Sequence, residues 1–463
     1  CLRRRRLGGK ESIISAMMGA GICPSEMPEN WLKKYAKIDV EQTYKLFQSQ
    51  RKDLFKNGLE RVFYTKCLQI PVIADIEFNG MYLDEEKVNE TYNSVIAELN
   101  NAEEELDDFT GGLNPRSNKQ MSEFIYDTLK FKEPKDNTGT VLRTPKGERT
   151  SSSIAISLLK PKNKRQKTFI NLKQRQTKLN AQVTKSLEKF YRCCEESEGI
   201  LYASINQAVT ATGRYSSTGK EYKCQFQNVD REFKSLFRAR NSGWMVGEAD
   251  EAQLEFRVAV WYGQDDTGFQ DIQGNVDVHS YTARIIGCSR QNAKAHTFKP
   301  LYGGTSGTPS EKRYYRAFRE KYSKIEKEQS RWVDEALINK KLTLPTGMKF
   351  YFPSLKVTQS GYVEGNTSVR NYPVQYLATA EIVPAALVYA WHSFKANDAE
   401  SFITNTIHDS IICEVHPKEL NFFREVMSYA LSVFPVEYMK KLYDIDFNVP
   451  LEAEIKTGTH WGL

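Results

Sequence analysis

What most restricts the fold of this chain is a pair of β-prone runs, 401–406 (SFITNT) and 411–415 (IICEV), separated only by Ile407-His408-Asp409-Ser410. Apolar and β-branched runs on either side of a short polar break predict a β-hairpin with His408 and Asp409 at or near its tip. A second restriction lies far upstream. Trp244-Met245-Val246-Gly247-Glu248-Ala249-Asp250 reads as a strand, and Glu251 to Val258 carries helical apolar spacing. Asp250 is therefore expected where a strand ends and a helix begins, exposed at a sheet edge. Taken singly, each acid has a plain reading: Asp250 as a helix N-cap, Asp409 as a turn aspartate.

Taken as a pair, two carboxylates on neighbouring strand ends have a specific use. Oxygen ligands hold hard cations. Two acids sharing a pair of magnesium ions would activate a 3′-hydroxyl and stabilise a leaving pyrophosphate. Between the acids, Arg290, Lys294, Phe298 and Tyr302 recur every fourth residue. On a helix that spacing sets two cations and two aromatics along one surface, suited to a triphosphate and to a base or sugar. Gly303-Gly304 is expected to end this helix.

The rest of the chain divides by texture. Residues 1–58 open on a basic stretch, Arg3 to Arg6, and then read helical. The segment 59–110 is amphipathic, broken at Asn79-Gly80, with 84–109 a long exposed helix ended by Gly111-Gly112 and Pro115. Residues 132–167 read as polar loops or a mobile tip carrying Lys160, Lys162, Lys164, Arg165 and Lys167. These cations are either a solvated charge run or a phosphate-backbone contact. A further helix is expected over 168–195, and short strands alternate with helices after residue 200.

Composition narrows the class. With 463 residues, a net charge of +7, a pI near 8.7 and a mean hydropathy of −0.56, the chain suits a polyanionic partner. No run approaches the roughly 20 apolar residues of a membrane span, and no apolar signal region follows the basic amino end. A soluble, intracellular protein is expected, with the compartment unspecified. The eight cysteines form no CxxC pair, and adjacent Cys193 and Cys194 suit free thiols in a reducing compartment. The chain begins with Cys1, as a fragment or processed piece would.

Together these segments resemble DNA polymerase family A, the DNA polymerase I group. The family's Asp-Tyr-Ser-Gln-Ile-Glu-Leu-Arg stands here as Asp250-Glu251-Ala252-Gln253-Leu254-Glu255-Phe256-Arg257. Its R-x3-K-x3-F/Y-x3-Y-G matches Arg290, Lys294, Phe298, Tyr302 and Gly303. Its Val-His-Asp-Glu stands as Ile407-His408-Asp409-Ser410. Thr210-Ala211-Thr212-Gly213-Arg214-Tyr215-Ser216-Ser217, Gln227-Asn228-Val229, Asp277-Val278-His279 and Asn371-Tyr372-Pro373-Val374-Gln375 resemble further family segments. The resemblance covers roughly 59–463. Leu7-Gly8-Gly9-Lys10 and the Tyr35-x3-Asp39 pattern resemble the last part of the family's 3′–5′ exonuclease domain. The divergent motifs fit a phage or organellar replicase as well as a cellular repair enzyme.

The resemblance implies a mixed α+β right hand. Residues 1–58 would be an exonuclease-like remnant, 59–200 thumb with adjoining palm, 201–275 palm, 276–365 fingers and 366–463 palm again. It implies a template-directed DNA polymerase whose Asp250 and Asp409, with the Glu251 backbone carbonyl, hold two Mg2+ ions, Mn2+ being a possible substitute. Arg290, Lys294 and His279 would meet the incoming triphosphate, Lys294 counting among the catalytic residues. Phe298 would lie by the sugar and Tyr302 near the templating base. Gln253 would join this nucleotide site, and Glu255 would be the steric gate against a 2′-hydroxyl. Arg214, Gln227, Asn228, Asn371, Gln375 and His408 would line the primer-template, with Lys164 and Arg165 gripping duplex phosphates. The implied partners are primer-template DNA and dNTPs, with any replisome proteins unknown, no membrane and a monomeric state. Asp39 alone would not hold two metals, so no proofreading is expected. The chain departs from the family at Ser410, Glu251-Ala252, Thr367 and Lys299-Pro300, and Pro300 predicts a kink before Tyr302. The alternatives are a single-subunit RNA polymerase, against which Glu255 and the Thr210–Ser217 motif argue, and a non-catalytic nucleic-acid-binding protein.

Overall fold

The computed structural model describes residues 12–136, 139–219, 224–359 and 361–462, without the side chains of residues 12, 294 and 295. The basic stretch Arg3 to Arg6 and Leu7 to Lys10 lie outside the described residues, as does the side chain of Lys294. Two compact units emerge. One comprises 72–252, 379–432 and 451–463; the other comprises 1–71, 253–378 and 433–450.

The first unit is built on a four-stranded antiparallel sheet. Its strands are β1 (Met245–Glu251), β2 (Phe402–Ile407), β3 (Ser410–Val415) and β4 (Ala453–Gly458), in the order β2-β3-β1-β4. Every residue of β3 is buried, because it is interior to the sheet and apolar on most positions. The helices Val383–Ala396 and Leu420–Ser432 supply Ala386, Leu387, Phe423, Met427 and Leu431 to the same core as Val246, Ile411 and Val415. Gly247 permits that close approach: a Cβ there would meet Phe423 Cζ at 2.5 Å.

A smaller sheet joins Met81–Leu83 to Ile200–Leu201 and Phe237–Arg238. From it rises helix α1 (Glu85–Thr110). Asp84 caps it by accepting from the Lys87 N–H at 3.2 Å, and Gly111 at φ 75° closes it. Helix α2 (Lys164–Gln182) packs on α1 through Leu99, Ala102 and Leu179, and runs on through a π-turn into Glu188–Glu196. Each such leucine contributes about 1.5–3 kcal/mol on full burial. The region read as polar loops, 132–167, is more ordered than expected. It holds a short helix, Ser153–Ser157, and α2 starts four residues earlier than expected. Asn163 is the reason: its side chain accepts from the Gln166 N–H at 2.8 Å and caps the helix. Lys164 and Arg165 therefore begin a helix rather than a free tip.

One buried cation ties this region together. Lys173 donates to the Pro115 carbonyl at 2.8 Å and to Gln176 Oε1 at 2.6 Å, while Gln176 and Arg116 both reach Glu103. Burial pushes its amine down to about 8 despite the nearby Glu103 carboxylate. The unfolded chain, with an ordinary lysine pKa near 10.4, then binds more protons between those values, so stability rises with pH there. Wild type is expected to gain thermal stability relative to Lys173→Met as pH goes from about 8 to about 10.4. Parallel melting curves of the two proteins check this.

The second unit is mostly helical. It contains Glu29–Asn57, α3 (Leu254–Gly263), α4 (Val278–Ile286), α5 (Arg290–Thr297), Pro309–Lys321, Ser323–Asn339 and Asn366–Gln375. Aromatic edges hold its core: Phe256 meets Tyr322 at 5.0 Å, and Phe318 meets Tyr322 at 4.7 Å. Tyr35 and Asp39 lie one turn apart on Glu29–Asn57. Among the described residues no helix is long and apolar enough to cross a membrane.

Candidate active site

In the first unit Asp250 lies on β1 and Asp409 in the turn that leads into the adjoining strand β3. Asp250 is in register with Ser410 on β3 and with Glu454 on β4. It is thus not at a sheet edge, as expected from sequence, but near the end of an interior strand. Nor is it a helix N-cap; that position belongs to Gln253, at φ 54°. Asp409 follows His408 in the two-residue turn joining β2 and β3, with Ile407 paired to Ser410. His408 takes φ 59°, a left-handed conformation uncommon for a side-chain-bearing residue and enriched at functional sites. Burial, then the charges of Asp409, Glu248 and Glu454, hold the Asp250 carboxyl well above the ordinary aspartate range, and its side chain hydrogen-bonds Asp409. Two hard oxygen donors drawn together against their own repulsion are the donor set a divalent cation satisfies. Among the described residues no group of three or more His, Cys, Asp or Glu side chains is placed to hold a metal ion. Any ion here must complete its shell with substrate, water or backbone.

Ser410, where the family motif has glutamate, turns inward and donates to the Ile407 carbonyl at 2.9 Å. Nearby, the charge of Arg214 acts on His408. Gln227 accepts from the Ser217 hydroxyl, and Asn228 donates to Gln225 at 3.0 Å. Asn228 also lines a cleft of about 810 Å³ whose helical wall carries Lys178, Lys185 and Lys189. Sequence reasoning had not singled out these three lysines, although their spacing of seven and four residues places them on one helical face.

In the second unit the fourfold spacing does not lie on one helix. Helix α5 ends at Thr297, and Pro300–Tyr302 forms a separate 3-10 turn. The expected kink is a full break, because Pro300 has no N–H to donate to His296 and its ring crowds that carbonyl. Gly303, at φ 75°, closes the 3-10 turn rather than the helix, and a Cβ there would meet Arg370 Cδ at 2.7 Å. Arg370 is itself tied to Glu326 at 2.8 Å and Ser330 at 3.2 Å.

Some of the expected residues still meet across the break. Tyr302 donates its hydroxyl to Glu255 on α3. Phe298 lies 5.4 Å from the His279 ring, and His279 Nδ1 is 2.9 Å from Thr297 Oγ1. Lys294 lies on α5. Arg290 pairs with Asp277, whose carboxylate it holds well below the usual range. Asn371 and Gln375 share the helix Asn366–Gln375, with Pro373 inside it.

Comparison with known proteins decides the family. The profile of DNA polymerase family A matches residues 85–463. The chain belongs to DNA polymerase family A. It is 25% identical to the DNA polymerase I of Borreliella burgdorferi, over 92% of this chain and 47% of that protein. Against the DNA polymerase I of Bacillus subtilis it is 23% identical over 84% of this chain and 44% of that protein. The chain thus spans about half the length of these relatives. The polymerase domain of Pol1 from M. smegmatis, solved in complex with a DNA primer-template and dNTP, shares the fold. The TM-score is 0.75 at 18% identity, covering 93% of this chain and 76% of that one. The mixed α+β polymerase fold expected from sequence is the one observed.

Proposed function

We propose that this chain is a template-directed DNA polymerase that adds dNTPs to a primer 3′-hydroxyl and releases pyrophosphate. The observation that carries it is the hydrogen-bonded pair of Asp250, on β1, and Asp409, in the turn leading into the neighbouring strand β3, in a chain of this family. Asp250, Asp409 and the Glu251 carbonyl would hold Mg2+, or Mn2+ in its place. The ions would supply charge neutralisation at the reacting phosphate and activation of the 3′-hydroxyl.

The remaining roles fall to side chains. Arg290, Lys294 and His279 neutralise and orient the triphosphate. Phe298 packs against the sugar, with Gln253 and Glu255 beside it. Glu255, anchored by the Tyr302 hydroxyl, presents a carboxylate where a ribose 2′-hydroxyl would fall. Arg214, Gln227, Asn228, Asn371, Gln375 and His408 contact the primer-template, and Lys164 and Arg165 meet duplex phosphates from the start of α2. Primer-template DNA and dNTPs are the partners, and the chain acts as a monomer.

The test is extension of a primed template with Mg2+, supplied in turn with dNTPs and rNTPs. Products only with dNTPs are expected. Products only with rNTPs would show an RNA polymerase, and none with either would overturn the proposal. Because duplex grip is phosphate contact, extension should fall at least tenfold between about 50 and 200 mM salt. Equal rates would remove the duplex-gripping role of Lys164 and Arg165.

A further inference from the structure

Asp277 sits at the meeting point of two residues assigned above to the triphosphate. Its Oδ2 accepts from Arg290 Nε at 2.6 Å and from Ser280 Oγ at 2.6 Å. Its Oδ1 accepts the backbone N–H groups of His279 at 3.0 Å and Ser280 at 3.3 Å, capping α4. The carboxylate is therefore fixed in place by the helix it caps. Arg290 is the first residue of α5, which packs against α4. Asp277 engages Arg290 through Nε, one of its five N–H donors, and sets a negative charge beside the guanidinium that a phosphate would approach.

We propose that Asp277 sets nucleotide affinity as an internal anion that holds Arg290 through Nε and competes with a triphosphate for its guanidinium. This rests on the polymerase reading of the site. In that view nucleotide binding is an exchange of anions. Groups with enough negative charge, triphosphate or pyrophosphate, displace Asp277, whereas a nucleoside without phosphates does not. Retention of this carboxylate weakens the binding of every phosphate-bearing ligand equally and holds Arg290 in one rotamer until such a ligand arrives. Both side chains are partly exposed, 53% for Arg290 and 36% for Asp277, so solvent screens the pair and the effect is modest.

Asp277→Asn removes the charge while keeping a side chain that caps helices well. It is expected to lower KM for dNTPs about two- to fivefold with kcat little changed. Pyrophosphate, titrated calorimetrically onto the protein without DNA, should bind tighter by a similar factor. In an Arg290→Ala background the same substitution should change neither quantity, since the interaction is pairwise. Asp277→Ser, which also keeps the cap, should behave like Asp277→Asn. Unchanged or raised KM and unchanged pyrophosphate affinity, in variants that melt like wild type, would overturn the proposal. So would an effect that persists without Arg290. Wild type that binds pyrophosphate as described but extends no primer would instead overturn the polymerase reading alone.

Discussion

Alanine in place of either Asp250 or Asp409 is expected to abolish primer extension, a loss of about a thousandfold or more. The magnitude follows from the role proposed for the pair. In that role several kcal/mol of charge stabilisation at the reacting phosphate would depend on both carboxylates, and each 1.36 kcal/mol is tenfold in rate. Ser410 leaves no third acid in the turn to compensate, because its hydroxyl is committed to the Ile407 carbonyl. The double variant should be no worse than either single one, since the two act as a unit. A second measurement separates catalysis from folding. Asp250 faces the negative charges of Asp409, Glu248 and Glu454, so without divalent cations Asp250→Asn should melt higher than wild type. A variant that is inactive yet more stable than wild type is what a metal-holding carboxylate predicts. An Asp250→Ala or Asp409→Ala protein retaining a tenth of wild-type extension would remove the assignment.

Much of this site was legible because its signals are local. Two β-prone runs around His408-Asp409 specify a hairpin by themselves, and the turn has only two residues to distribute. The strand ending near Asp250 was equally plain. What was not legible was non-local. Nothing in 244–251 reveals that β4, from the far end of the chain, pairs with β1 and sets Glu454 opposite Asp250. An edge position was the natural reading, and the register corrects it. The i, i+4 spacing of Arg290 to Tyr302 describes a helix only while every residue can donate its N–H, and a single proline ends that. The contact between Asp277 and Arg290 had a sequence signal, an Asp two residues before His279 at a helix start, but capping chemistry alone does not say which cation the carboxylate meets. Asn163 shows the same limit from the other side: a good N-cap inside a lysine-rich stretch was masked by the charge around it.

The largest effect on stability is expected at Glu414, on the strand that begins at Ser410. Its carboxylate is nearly fully buried and accepts from Arg240 twice, at the backbone N–H (2.9 Å) and at Nε (3.0 Å). Arg240 continues to the carbonyls of Asn79, at 2.8 Å, and Gly80, and lies over the Phe402 ring at 4.8 Å. One ion pair thus links β2, β3 and the turn at Asn79-Gly80, a turn whose Gly80 has φ +62° and no room for a Cβ beside Ile200. Burial holds the Glu414 carboxyl above its ordinary value even with Arg240 present, so desolvation outweighs the attraction. The pair is not in itself a large source of stability. Removing one partner is a different matter, because it leaves either the buried Glu414 or the three-quarters-buried Arg240 without its counter-charge. Glu414→Ala should cost about 3 kcal/mol, lowering the melting temperature by roughly 3–6 °C. Replacing both, as in Glu414→Leu with Arg240→Met, should recover most of that loss, since apolar groups of similar volume need no partner. Chemical denaturation of the two singles and the double, read as a mutant cycle, checks the sign. If Glu414→Ala unfolds with wild-type stability, the pair is not what joins these strands. At about 20 °C, where the folded fraction of the variant remains high, primer extension by Glu414→Ala should stay within a few-fold of wild type. In the proposed site Glu414 would position the strand that follows Asp409 without touching the reacting groups.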